Sequence, residues 1–311
     1  METMKILIYG TGGVGGYFGG RLAQAGHDVT FIARNAHLKA IKENGLRVNS
    51  INGDFVIQPA KATDDISEIE RPDLVILGLK SWQIKDAAKK LKSIITEETM
   101  ILPLQNGADN MEKLQEVISK KNVLAGLCKI YSKKEEPGLI NHFYLEPEII
   151  FGEMDNEKSD RALKLNEIFN DAGIKAMVPD DIYKAIWKKF AFIATVSGLG
   201  GLTRVGIGKM WQDDYLQEIL KKTGLEIQAI AQAKGVDFNE EDVAQLFQFI
   251  SGQEMTTTAS TQRDIMEGRP SELENFNGYI VEQGKKLGIE TPVNEFIYRA
   301  LLPMEKEARR S

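Results

Sequence analysis

Apolar residues in the first half of the chain come in short unbroken runs, whereas in the second half they come at helical spacing. Residues 6–9 (ILIY), 73–79 (DLVILGL) and 100–104 (MILPL) show no helical period and read as strands buried on both faces of a parallel sheet. Another strand is predicted at 27–33, and between it and the first lies a helix over 14–25 that stops at Gly26. A helix over 35–44 leads into two short strands, 46–49 and 55–58, on either side of Asn52-Gly53, a dipeptide that favours a hairpin. Further strands are expected at 123–130, 140–144, 149–151 and 175–178, with a helix at 159–171. After Pro179, Asp180 and Asp181 the strand pattern vanishes. Helices are then predicted from residue 182, over 213–233 and 242–258, and from Pro270-Ser271-Glu272 to about 287, with 201–210 a glycine-punctuated loop. The pattern predicts an α/β domain over 1–179 followed by an all-helical domain over 180–311.

The turn after the first strand carries chemistry. Gly10, Gly12 and Gly15 have the spacing GxGxxG, at the junction of a strand and a helix. The first glycine permits a tight turn, the second lets backbone approach a pyrophosphate, and the third lets the helix pack on the strand. Thr11, Gly13 and Val14 complete a loop whose helix N-terminus faces the phosphates with free N–H groups and a positive dipole end. This is the dinucleotide-binding fingerprint of a Rossmann-type domain. At the end of the second strand, where an NAD site places an acid about 20 residues beyond the glycines, this chain has Arg34. A guanidinium suits a 2′-phosphate, so the expected cofactor is NADPH.

Ligands of an open parallel sheet sit beyond the carboxyl ends of its strands, which puts Lys80 and Asn106 on the cofactor side. In the helical half, Ile182, Ile186, Lys189 and Ile193 share one helix face. Lys189 thus stands in an apolar stripe, and a buried ammonium is costly unless paired or useful; Lys184 and Lys188 fall together on the opposite, wet face. Glu272 falls in a first helical turn, where the dipole favours an acid.

Charge and composition narrow the field. The chain has 311 residues and a net charge of −6, which offers no basic field for nucleic acid or an anionic membrane. Its single cysteine, Cys128, excludes an internal disulfide, and His27, His37 and His142 have no metal-ligand spacing with it. The most apolar later stretch, 190–202, is broken by Thr195, Ser197 and three glycines and is shorter than the roughly 20 residues of a membrane span. With the first strand starting so soon after Met1, a signal peptide is not expected. These features predict a cytoplasmic protein acting on a small molecule, with oligomeric state open and a homodimer among the options.

With the glycine motif, Lys80-Ser81-Trp82-Gln83, Asn106-Gly107, Trp187-Lys188-Lys189 and Glu272 to Asn277-Gly278 in this order, the chain resembles the ketopantoate reductase (2-dehydropantoate 2-reductase) family over nearly its whole length. The resemblance implies a Rossmann domain, a helical domain, and NADPH-dependent reduction of a 2-oxo acid in the cleft between them, by default 2-dehydropantoate to pantoate in pantothenate biosynthesis. By match, residues Gly10 to Gly15, Arg34, Lys80, Asn106 and Glu272 contact the cofactor, with Ser132 beside it in place of a small apolar residue. Lys189 is then the proton donor, Asn106 faces cofactor or substrate, and Ser260 binds substrate. Where family members carry substrate-binding asparagines, this chain has Ile193, Ser197 and Ile207. That departure points to a less polar oxo acid, whose carboxylate Arg204 is placed to take. A non-catalytic NADP-binding sensor is the alternative from another class, and retention of Lys189 and Glu272 speaks against it.

Overall fold

The apolar runs of the first half pair as strands, and the second half is mainly helical, although the helix expected to open at Pro270-Ser271-Glu272 starts only at Glu274. The computed structural model describes residues 3–310; Met1, Glu2 and Ser311, at the outer ends of the two expected domains, lie outside the described residues. The chain divides into two compact units, one comprising Met1–Gln105 and Asp109–Ile182, the other Asn106–Ala108 and Tyr183–Ser311.

In chain order the first unit contains β1 (Lys5–Tyr9), α1 (Gly13–Gln24), β2 (Asp28–Ile32), α2 (Asn35–Asn44), β3 (Leu46–Ser50), β4 (Phe55–Ile57), β5 (Lys61–Thr63) and β6 (Leu74–Leu77). It continues with α3 (Ile84–Leu91), β7 (Met100–Pro103), α4 (Asn110–Gln115), β8 (Ala125–Lys129), β9 (Ser132–Glu136), β10 (Leu139–His142), β11 (Glu148–Gly152), α5 (Asp160–Asp171) and β12 (Lys175–Met177). A parallel five-stranded sheet runs β5-β2-β1-β6-β7, with Ile6 opposite Val29 on one side and Leu74 on the other. The central strands are covered on both faces, which is why β1 and β6 read as continuous apolar runs rather than alternating ones.

Glycines on α1 bring that helix down onto the sheet. A methyl at Gly19 would lie 2.5 Å from Ile8 Cγ1 and 2.7 Å from the Phe31 ring, so only glycine allows this approach. Ile8 and Phe31 are fully buried beneath it, each contributing about 1.5–3 kcal/mol by burial.

The expected hairpin about Asn52-Gly53 forms, with β3 and β4 antiparallel, inside a sheet ordered β4-β3-β10-β9. Strand β9, which reads SKKEE, escaped the hydrophobic pattern because it is an exposed edge paired to β10 alone. Its charges suit that place, since a charged edge resists pairing with another chain. A third sheet runs β12-β11-β8.

The second unit is α6 (Ile182–Thr203), α7 (Ile207–Gln212), α8 (Asp214–Ala233), α9 (Glu240–Ser251), α10 (Ser260–Met266), a π-helical turn at Glu274–Gly278, α11 (Tyr279–Leu287) and α12 (Pro292–Ala308). The loop expected over 201–210 is a correction. Helix α6 continues through Gly201 to Thr203, and α7 begins at Ile207. The glycines that suggested a loop are contact points instead, for a methyl at Gly198 would meet Ile297 at 2.5 Å and one at Gly201 would meet Ile265 at 2.9 Å. Arg204 closes the helix in the left-handed region (φ 58°), its N–H bonded to the Gly200 carbonyl. The helix expected over 242–258 is shorter, because Gly252 caps α9 at Ser251.

Candidate functional site

In the first unit the predicted cofactor residues gather at the carboxyl ends of β1, β2 and β6. Gly10 turns the chain with φ 106°, and a methyl there would lie 2.8 Å from the Leu79 nitrogen, so the ends of β1 and β6 touch through backbone. At Gly12, by contrast, no atom beyond the glycine and its neighbours in the chain lies within 4 Å of where a Cβ would sit. A methyl at Gly13 would lie 2.5 Å from the Ser132 carbonyl, which places the Ser132 backbone against the same loop; its Oγ is buried without a partner. Thr11 is tied to the end of β2, its hydroxyl donating to the Ile32 carbonyl at 2.8 Å and its N–H to the same oxygen at 3.2 Å. Arg34 follows two residues later, exposed and extended. Its charge reaches Tyr9, whose hydroxyl pKa is raised by burial against the pull of that guanidinium. Lys80 is half-buried, its ammonium 5.8 Å from the centre of the Trp82 ring.

Beneath Lys80 lies a polar network that sequence reasoning missed. Buried Ser81 donates to Asn110 Oδ1 at 2.6 Å, and Asn110 Nδ2 donates to the Gln105 carbonyl at 2.9 Å. Lys113 reaches Ser81 Oγ at 3.3 Å and the Asp109 carboxylate at 2.8 Å. Burial raises the Asp109 pKa, and the Lys113 charge opposes it. The signal was thin, a polar Asp109-Asn110 pair at a helix start and a lysine one turn on.

The second unit holds the other predicted residues. Lys189 is half-buried on α6, one turn beyond buried Ile186 and one turn before half-buried Ile193. The expected contrast with its neighbours is not one of burial, for Lys184 and Lys188 are half-buried as well and their face is not simply wet. Lys188 lies 3.0 Å from Asp242, and Lys184 reaches Asp242 at 3.1 Å and Asp237 at 2.9 Å, so both fasten α6 to the acidic start of α9. Ser197 is fully buried with no partner for its Oγ, and Ile207 sits in the apolar core of this unit. Ser260 is exposed at the start of α10. Arg204 is exposed, and its guanidinium donates to the Met266 carbonyl at 2.7 Å.

Asn106 belongs to this unit and not to the sheet that leads to it, and Ala108 beside it is part of the helical core. Glu272 is 3% exposed. It stands between Ser271, which α12 grips, and the π-helical turn, an arrangement with no periodic signature in sequence. The structure thus gathers Gly10 to Gly15, Arg34, Lys80 and Ser132 in one unit, and Asn106, Lys189, Ser197, Arg204, Ser260 and Glu272 in the other. Among the described residues no cluster of His, Cys, Asp and Glu suits a metal, and no helix is long and apolar enough to cross a membrane.

Comparison with known proteins covers both units. Residues 6–156 match the family described as ketopantoate reductase PanE/ApbA, and residues 181–305 match its C-terminal counterpart. An uncharacterized oxidoreductase of Bacillus subtilis, YkpB, is 31% identical over 304 residues, covering 98% of this chain and 100% of the relative. The 2-dehydropantoate 2-reductase of Aquifex aeolicus is 31% identical over 309 residues, 97% of each chain. Among solved structures, a PanE/ApbA family ketopantoate reductase from Ralstonia eutropha superposes with a TM-score of 0.90 at 29% identity, covering 98% of this chain and 100% of that one. The α/β unit with its glycine loop, the helical unit bearing Lys189, and these full-length likenesses together mean that the chain belongs to the ketopantoate reductase PanE/ApbA family of oxidoreductases.

Proposed function

We propose that this protein reduces a 2-oxo acid to the 2-hydroxy acid with NADPH, its default substrate being 2-dehydropantoate, which would place it in pantothenate biosynthesis in the cytoplasm. The observation that carries the reading is Lys189, a half-buried ammonium in an apolar stretch of α6, in a chain of a reductase family. The residues of the first unit fit a dinucleotide. Open space at Gly12 admits a pyrophosphate to the backbone, and exposed Arg34 offers a cation for a 2′-phosphate. Lys80 and Ser132 flank the same loop ends, and Asn106 and Glu272 are assigned to the cofactor or its neighbourhood.

A bound reduced nicotinamide supplies the hydride. Lys189 holds a proton at Nζ, steadies the negative charge that develops on the carbonyl oxygen, and delivers that proton to it, giving the hydroxyl. Glu272 orients this ammonium, and Ser197 and Ser260 are assigned to the substrate. Arg204 is exposed, and with one guanidinium N–H on the Met266 carbonyl it keeps further donors, which are assigned to the substrate carboxylate.

A second reading, a less polar oxo acid, is favoured by Ile193, half-buried one turn from Lys189. An amide at that position would partner a substrate hydroxyl, and an isoleucine leaves it unpaired at a cost of about 1–3 kcal/mol. Following the absorbance of NADPH and of NADH with 2-dehydropantoate, a branched aliphatic oxo acid and an aromatic one separates the readings. A kcat/KM highest for 2-dehydropantoate supports the first, a preference for an apolar acid supports the second, and no oxidation with any of them refutes both.

A further inference from the structure

His37 is 8% exposed on α2, three residues beyond Arg34, and both of its ring nitrogens are engaged. The Gly138 N–H donates to Nδ1 at 2.9 Å, so Nδ1 carries no proton. The proton of the neutral ring is therefore on Nε2, which lies 2.7 Å from the Thr11 carbonyl oxygen and donates to it. Burial lowers the ring's pKa and so favours this neutral form, as does the Lys134 charge on β9, while the bond to Thr11 pulls the other way.

Thr11 is the residue between the first two glycines of the fingerprint. Its N–H and hydroxyl are held by the Ile32 carbonyl, and its own carbonyl is held by His37. A trans peptide is planar, with C=O and the next N–H pointing opposite ways. Turning the Thr11 carbonyl toward the ring therefore turns the Gly12 N–H away from it, at the residue where the loop has open space. We propose that His37 is a positioning residue for pyrophosphate, setting the direction of the Gly12 N–H through its bond to the Thr11 carbonyl. The inference rests on the nucleotide reading above.

Two substitutions divide the ring's duties. In His37→Asn the side-chain oxygen replaces Nδ1 as acceptor for Gly138 but no donor reaches Thr11; in His37→Gln the side-chain NH₂ replaces Nε2 as donor to Thr11 and the Gly138 bond is lost. Binding of NADPH, of NADH and of adenosine 2′-monophosphate, which lacks the pyrophosphate, is measured by calorimetry alongside melting temperature. The expected result is about a 10-fold loss of NADPH affinity in His37→Asn, near-native affinity in His37→Gln, and adenosine 2′-monophosphate unchanged in both. Equal losses in the two variants, a loss shared by adenosine 2′-monophosphate, or no loss in His37→Asn would overturn the role. If the unaltered chain binds neither NADPH nor NADH, the nucleotide reading itself falls, and this inference with it.

Discussion

The Glu305 carboxylate on α12 accepts hydrogen bonds from both the N–H (3.1 Å) and the hydroxyl (2.5 Å) of Ser271, the residue directly before Glu272. Arg309 completes the clamp, lying 2.7 Å from Glu305 and donating to the Ser271 carbonyl at 3.0 Å. All the polar groups of a fully buried residue are thereby satisfied by one turn of the last helix.

Removing that carboxylate strands a buried N–H, a buried hydroxyl and a partly covered guanidinium. Glu305→Ala should therefore cost about 2–4 kcal/mol, with Arg309, at 30% side-chain exposure, recovering part of its solvation. Urea unfolding measures the loss. A change below about 0.5 kcal/mol would show that water replaces the clamp without penalty.

Lys189→Met should lower kcat by about 10²–10⁴-fold while leaving nucleotide affinity and unfolding nearly unchanged, since methionine fits the apolar stretch of α6. Lys188→Met should leave kcat near native, because its contact is with Asp242. Steady-state kinetics and nucleotide titration check both. Full turnover without Lys189, or its loss without Lys188, would remove Lys189 from the mechanism.

If Arg34 holds the 2′-phosphate as proposed, Arg34→Asp should weaken NADPH binding by more than about 10-fold and improve NADH, because repulsion would replace a charge-assisted contact. Titration with each nucleotide tests it. Parallel losses for the two would make Arg34 a structural residue.

Glu153 gives an acid-sensitive contribution to stability. Burial works to raise its pKa, but Arg161 at 2.6 and 2.7 Å and the Ser159 hydroxyl at 2.6 Å outweigh it, and the carboxyl is held below its ordinary value of 4.5. A depressed folded-state pKa stabilises above the unfolded value and is lost as pH falls through the folded one. Unfolding titrations should thus show wild-type stability falling below about pH 4.5, and a shallower fall in Glu153→Gln. Identical slopes would place the acid sensitivity elsewhere.

Local sequence determined whatever depended on neighbours in the chain. The runs of β1 and β6, the turn at Asn52-Gly53 and the face shared by Ile186 and Lys189 were legible because strand and helix periods place adjacent residues without outside help. So were the glycine loop and the family, since those motifs are short and ordered. Tertiary structure decided what depends on residues far apart. The charged strand β9 exists because β10 offers it an edge, and α6 runs through Gly198 and Gly201 because Ile297 and Ile265 occupy the space their side chains would need. The Thr11 carbonyl meets His37, 26 positions on, and Ser271 meets Glu305, 34 positions on. No period links such pairs. Their partners are chosen by the need to satisfy each buried polar group, a condition that applies only once packing has excluded water.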